Sequence, residues 1–200
     1  MEYFFYCRDI PDSRALRKAT VEEHWSFMEN YVSRMIARGP TLAEDGVTQT
    51  GSMHIVDLPD AEAARVFAYE EPNYKHGVYR EVMVRRWRNV LGGTMWGFKG
   101  DPERNKRFLV IAHGKPGMSA SRKRVLDEHH HYFIDQDYIP HFIVRGPLLS
   151  ADGNDWVGSA MLVEFPDRAA VEAMLAPEPF TRNGLYENIE IHNWRFGGRH

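Results

Sequence analysis

The feature that most constrains this chain is a repeat: one shift of 107 positions lays its first half over its second. Arg38-Gly39-Pro40 recurs as Arg145-Gly146-Pro147, and 145 − 38 = 107. The same shift carries Tyr31 to Tyr138, Asp45-Gly46 to Asp152-Gly153, Gly51-Ser52 to Gly158-Ser159, Glu71-Pro72 to Glu178-Pro179 and Trp87-Arg88 to Trp194-Arg195. Read without a gap, it also carries Arg17 to Arg124 and His24 to His131. Matches this ordered mean two diverged copies of one unit. We therefore divide the chain into a first repeat at 1–88, a linker at 89–106 and a second repeat at 107–200, the linker holding four glycines and ending in charged residues.

Each copy reads as βαββαβ. An alternating, aromatic-rich stretch at 2–8 suits a strand. From Ser13 to about Ala37 apolar residues fall at helical spacing, which predicts one long helix stopped by Gly39-Pro40; in the second copy Pro140 should kink or end it. Asp45-Gly46 marks a hairpin between a short strand near Thr41–Glu44 and a stronger one at Ser52–Leu58. Asp60 is a candidate N-cap for a helix to Tyr69, which Glu71-Pro72 ends, and a turn at Gly77 leads into a last strand at Arg80–Trp87. Such a unit puts both helices on one sheet face and is too small to leave the other bare. We thus expect an α+β fold of two ferredoxin-like repeats packed sheet to sheet as a pseudo-dimeric α+β barrel, compatible with further self-association.

Composition narrows the partners. A net charge of −3 with no long Lys/Arg run argues against nucleic acid. No apolar stretch approaches the ~18 residues of a membrane span, and the short start Tyr3–Cys7 runs into Arg8-Asp9 without the form of a signal peptide. The lone Cys7 fits a reducing compartment, so a cytoplasmic protein is expected. There is no phosphate loop, nucleophile elbow or dinucleotide fingerprint, hence no expected cofactor, and a small molecule is the expected ligand.

The ordered set of an aromatic first strand, Arg17, His24, Gly39-Pro40, Asp45, Gly51-Ser52, Glu71-Pro72 and Gly77-Val78-Tyr79 resembles the YciI-like (YCII-related) family. It recurs as Arg124, His131, Gly146-Pro147, Asp152, Gly158-Ser159, Glu178-Pro179 and Gly184-Leu185-Tyr186. The resemblance implies ferredoxin-like units paired as α+β barrels, and a His/Asp active-site pair that maps onto His24 with Asp45 and His131 with Asp152. A dehydrochlorinase acting on a chlorinated hydroxyquinol is similar to this family, as are isomerases and cofactor-free monooxygenases of the wider superfamily. The acidic residue before Pro72 and Pro179 is glutamate where the family has aspartate, and no role is assigned to it.

The chemistry of these residues allows two readings. His24 falls on the apolar helix stripe with Phe27, Tyr31 and Met35, and His131 beside Ile134, Tyr138 and Phe142; a histidine there is either a core residue satisfied by one hydrogen bond or a general base. Asp45 and Asp152 precede glycines, where aspartate often serves the turn alone. Paired with histidine, they would fix the tautomer and raise its basicity. His129-His130-His131 is not read as a metal site, because neighbours on a helix point about 100° apart. Cys7 reads as a small hydrophobe rather than a nucleophile. The first functional reading is a small cofactor-independent enzyme, an isomerase or a lyase of the dehydrochlorinase type, acting on an aromatic or cyclic metabolite by His/Asp acid–base chemistry. The second is a non-catalytic ligand-binding or structural barrel.

Overall fold

The computed structural model describes residues 1–198; the last two positions of the second repeat lie outside the described residues. The chain is mixed α+β and divides into two compact units. The first takes Met1–Trp87, Thr94–Trp96 and the tail from Asn193; the second takes Arg88–Gly93 and Gly97–His192. Among the described residues no helix is long and apolar enough to cross a membrane.

In the first unit β1 (Glu2–Asp9) lies between β3 (Gln49–Asp57) and β4 (Tyr79–Trp87), and β2 (Met35–Leu42) pairs the far side of β3, all antiparallel. The helices α1 (Arg14–Glu29), α2 (Ala61–Tyr69) and the single turn α3 (Pro72–Lys75) complete the βαββαβ pattern. Alternate residues of β1 decide its packing: Tyr3 and Phe5 join Met28, Met35, Val56, Leu58 and Phe67 in one buried cluster. Burying an aromatic side chain of this kind stabilises by about 2 kcal/mol. The second unit repeats the plan with β5 (Lys106–Gly114), α4 (Ser119–Asp135), β6 (Phe142–Leu149), β7 (Trp156–Phe165), α5 (Arg168–Leu175), α6 (Pro179–Arg182) and β8 (Tyr186–Trp194). Its core gathers Phe108, Val110, Phe133, Phe142, Val163, Phe165 and Met174.

Several boundaries differ from the sequence reading. The long helix stops at Glu29, and Met35, Ile36 and Ala37 belong to β2. Those three residues are buried. A short apolar run satisfies a helix stripe and a two-sided strand equally well, and pairing with β3 selects the strand. Gly39-Pro40 is consequently strand interior rather than a turn. Pro40 has no N–H to give, but its carbonyl is used, accepting Arg195 N at 3.3 Å. Pro140 falls in a one-turn 3-10 segment at Ile139–His141, after α4 has ended. Asp60 and Asp167 do cap α2 and α5, accepting from Ala63 N and Ala170 N. Glu71 and Glu178 end no helix; each is the N-cap of the short helix whose N1 residue is the following proline.

The copies are also not related by one shift. From β2 onward the offset is 107, but Arg17 and His24 are matched by Arg122 and His129, so 122 − 17 = 129 − 24 = 105. The second copy carries two extra residues where α4 gives way to β6.

Gly39 meets the tail at close range. A Cβ built there would stand 1.9 Å from the Arg195 carbonyl oxygen and 2.8 Å from Trp194 Nε1. Gly39→Ala must therefore push the tail off β2, and we predict a loss of about 2 kcal/mol, as overpacking typically costs, read by urea unfolding against wild type.

Candidate functional site

The first unit holds a cavity of about 330 Å³ bounded by α1, β2, β3, α3 and the tail. Its floor is set by charge and hydrogen bonding. Asp9, at the end of β1, accepts from Ser13 Oγ at 2.7 Å and from Arg17 Nε and Nη2, both at 2.6 Å. Arg17 Nη2 reaches on to Ser52 Oγ at 3.0 Å. A two-pronged guanidinium–carboxylate contact fixes position as well as charge, so α1 is held to the strand end at a defined angle.

His24 lies one helical turn and three residues beyond Arg17, on the same face of α1. Its Nδ1 contacts Glu71 Oε1, and Asn73 Nδ2 lies 3.1 Å from the same nitrogen. Asn73 is oriented independently: its Oδ1 accepts from Thr20 Oγ1 at 2.6 Å, and its Nδ2 donates to Tyr79 Oη at 3.2 Å. The second Glu71 oxygen accepts Tyr74 N at 3.0 Å, as the cap of α3 requires. An ionised Glu71 has acceptors only, and with its carboxylate charged the proton shared with the imidazole lies on His24 Nδ1. Nε2 then carries the lone pair, and among the described residues nothing bonds it. His54, on β3, lies 6.1 Å from His24 between ring centres, is 4 % exposed, and its nitrogens have no partner among the described residues. Burial, then the neighbouring His24, Arg38 and Arg17, holds its pKa well below the usual histidine value. Trp25, Met28 and Phe196 supply apolar wall, and Arg38 adds a second cationic group whose Nε donates to Gly197 O at 3.3 Å.

The structure does not bring His24 and Asp45 together. Asp45 is spent on its own hairpin, accepting Val47 N, Thr48 N and the Thr48 hydroxyl; the Thr48 hydroxyl above all holds its carboxyl below the usual range. Asp152 does the same with Ser150 and Asn154. His131 is exposed and its Nδ1 bonds the Asp127 carbonyl one turn back, with Ile134 also exposed, so neither lies on a buried stripe. Its place is taken by His129, whose Nδ1 contacts Glu178 Oε1. The expected His/Asp pair is thus corrected to a His/Glu pair in each copy. Cys7 is buried, and burial first of all pushes its thiol up, which leaves it unreactive. Among the described residues no three His, Cys, Asp or Glu side chains gather as a metal would require.

The second unit's pocket measures about 30 Å³. Shift 107 puts Phe180 where the first copy has Asn73, and Phe180 stacks on His129 at 3.8 Å between centroids. Met161 likewise stands where His54 does. Larger apolar groups have filled most of the space.

Fold and cavity define an α+β protein with one roomy and one nearly closed pocket, and comparison with solved structures gives its class. The chain is similar to chlorite dismutase R173A from Candidatus Nitrospira defluvii, with a TM-score of 0.63 at 10% identity over 97% of this chain and 91% of that one. It is similar to an anthrone oxidase-like protein, with a TM-score of 0.60 at 12% identity over 98% and 90%. The fold is that of the dimeric α+β barrel proteins. Within that class the YCII-related domain matches residues 1–88 and again 106–195, and the chain belongs to the YCII-related family. An uncharacterized protein of Haemophilus influenzae is 29% identical over 98 residues, which is 46% of this chain and the whole of that protein.

His54 provides a check on this geometry. A histidine held neutral in the fold contributes stability that is fully present above its unfolded pKa of about 6.5 and is lost as pH falls below it, because only the unfolded chain then takes the proton freely. The drop in Tm from pH 7.5 to pH 5 should therefore be smaller in His54→Leu than in wild type.

Proposed function

We propose that the first unit's cavity is the active site of a small-molecule enzyme that works by proton transfer, with His24 as the general base or acid and Glu71 as the group that orients it. The observation that carries this reading is the His24 imidazole tied through Nδ1 to a buried carboxylate, with no bond to Nε2 among the described residues, beside a cavity of about 330 Å³ that His24 lines. Anchoring one nitrogen fixes the tautomer and ring angle and raises the basicity of the other, which acid–base catalysis near neutral pH needs. His24, Asp45, His131 and Asp152 were the expected catalytic set; the reading now rests on His24 with Glu71, and on His129 with Glu178 only as a second, occluded copy.

The lining supports a substrate class. Trp25, Met28 and Phe196 offer apolar surface, while Arg38 favours a developing or resident negative charge, Arg17 being already paired with Asp9. A small aromatic or cyclic compound bearing an acidic hydroxyl or carboxylate fits both. Proton removal from a carbon next to a carbonyl would build an enolate whose charge the Arg38 guanidinium stabilises; return of the proton at another position gives isomerisation, and departure of a β substituent as its anion gives elimination. His54, kept neutral, adds no charge that would compete.

The experiment is solvent exchange. Quinols, chlorinated hydroquinones and cyclic keto acids are incubated with the protein in D2O and followed by NMR for exchange or product. Wild type should catalyse exchange with at least one member. His24→Ala should lower the rate by about 10²–10⁴, the usual contribution of a positioned acid–base group, with Glu71→Gln lowering it less and His129→Ala leaving it near wild type. Undiminished exchange in His24→Ala, or ligand binding with no exchange across the panel, overturns the reading; the second outcome favours a non-catalytic binding protein.

A further inference from the structure

The second unit's nearly closed pocket is lined by two arginines with buried N–H groups that lack partners among the described residues. Arg145 on β6 is 7 % exposed, and its Nε and Nη1 are buried without a hydrogen-bond partner among the described residues. Its guanidinium carbon sits 4.6 Å from the Phe133 ring centre and 5.0 Å from that of Phe142. Aromatic faces attract the charge but accept none of its N–H groups in the plane where they point. Arg122 on α4 is in the same condition: its Nε is buried and unpartnered, and it lies 5.6 Å from Phe180 and 5.9 Å from Trp156. Both side chains line the one small cavity. Buried donors left unpaired are rare in folded proteins and call for a missing partner.

Comparison of the copies shows where that partner went. In the first unit Arg17 is neutralised by Asp9 at the end of β1. The offset of 105 puts Gly114 at that place, and the ring of Trp156 occupies the vacated space, 2.7 Å from where a Gly114 Cβ would stand. The remaining acid nearby, Glu178, is fully engaged, with Oε1 on His129 and Phe180 N and Oε2 on Thr181 N and its hydroxyl. The second copy has thus lost an internal carboxylate and kept two arginines around a cavity.

We infer that this cavity is a receptor for a small carboxylate supplied from outside, whose oxygens pair with Arg145 and Arg122. Ser159 adds a third donor: its Oγ accepts from Tyr186 Oη at 3.0 Å, so its own proton is available to the cavity it lines. A volume of about 30 Å³ admits two water-sized groups, the size of one carboxylate head. The guanidinium fork matches a planar carboxylate in two-pronged geometry. His130, also in the wall, has its pKa lowered by burial and then by His129 and the two arginines, and so stays neutral beside them. The site is separate from the catalytic reading of the first unit and does not depend on it.

The test uses the whole chain, titrated with sodium acetate, sodium phosphate or sodium chloride at matched ionic strength and followed by Tm and by tryptophan emission. Acetate should raise Tm saturably, by the linkage of binding to folding, beyond chloride and beyond phosphate, and should change emission because Trp156 lies beneath Arg122. Arg145→Met should melt no lower than wild type without acetate, having shed an unpaired buried charge, and should lose the acetate response; Arg122→Met is the second variant should the first not fold. Arg38→Met and His24→Ala should keep the response. A rise that is unsaturable or equal in chloride overturns the inference, as does a larger rise in phosphate or an acetate response retained in Arg145→Met and Arg122→Met.

Discussion

The contact between the His24 imidazole and the Glu71 carboxylate ties α1 to the connection after α2, with the Thr20–Asn73 hydrogen bond and the His76–Glu23 contact beside it. His24 belongs to a long helix packed by its apolar stripe; Glu71 belongs to the connection after α2, which would be free to wander as an ordinary loop. By capping α3 with one oxygen and taking Nδ1 with the other, Glu71 converts that connection into a fixed wall. Asn73 then falls into place between Thr20, Tyr79 and the imidazole. The cavity is what remains between this wall and β2 and β3. Its size and its open imidazole nitrogen follow from the same bond.

The second copy keeps the bond and changes its surroundings. His129 and Glu178 meet as their counterparts do, so the arrangement of helix and cap survives. Asparagine has become Phe180, and a stacked ring now covers the imidazole. Glycine has replaced the aspartate that neutralised the helix arginine. The constraint that builds the fold is thus shared, while the residues set around it have diverged, Asn73 and His54 in one copy standing where Phe180 and Met161 stand in the other.

Much of this was legible in the sequence. The repeat, the order of elements, the caps at Asp60 and Asp167 and the placing of His24 on the inner side of its helix all follow from spacing and residue type. The gap of two residues was hidden by degeneracy: Arg122-Lys123-Arg124 and His129-His130-His131 present arginine and histidine at both offsets, so an ungapped shift finds a match either way. It therefore chose the exposed His131 over the buried His129. Asp45 looked like a partner because acid near histidine is a familiar pairing, yet both of its oxygens serve its own hairpin. Glu71-Pro72 was read as the end of a helix, although an acid before proline can equally start one, and its reach to a histidine 47 positions earlier is a property of the packed unit. Arg38 and His54 gave no local signal, since only the register of β2 on β3 sets them opposite each other.

The central claim is a statement about one proton: it resides on His24 Nδ1, held by Glu71, and leaves the lone pair on Nε2. Long-range 1H–15N correlation spectra of the histidine side chains test it directly, with His24→Gln used to assign the resonance. At pH 7.5 the account predicts an Nδ1–H tautomer for His24 that shifts toward a tautomer mixture in Glu71→Gln. An Nε2–H tautomer in wild type, or a spectrum unchanged by Glu71→Gln, would contradict it.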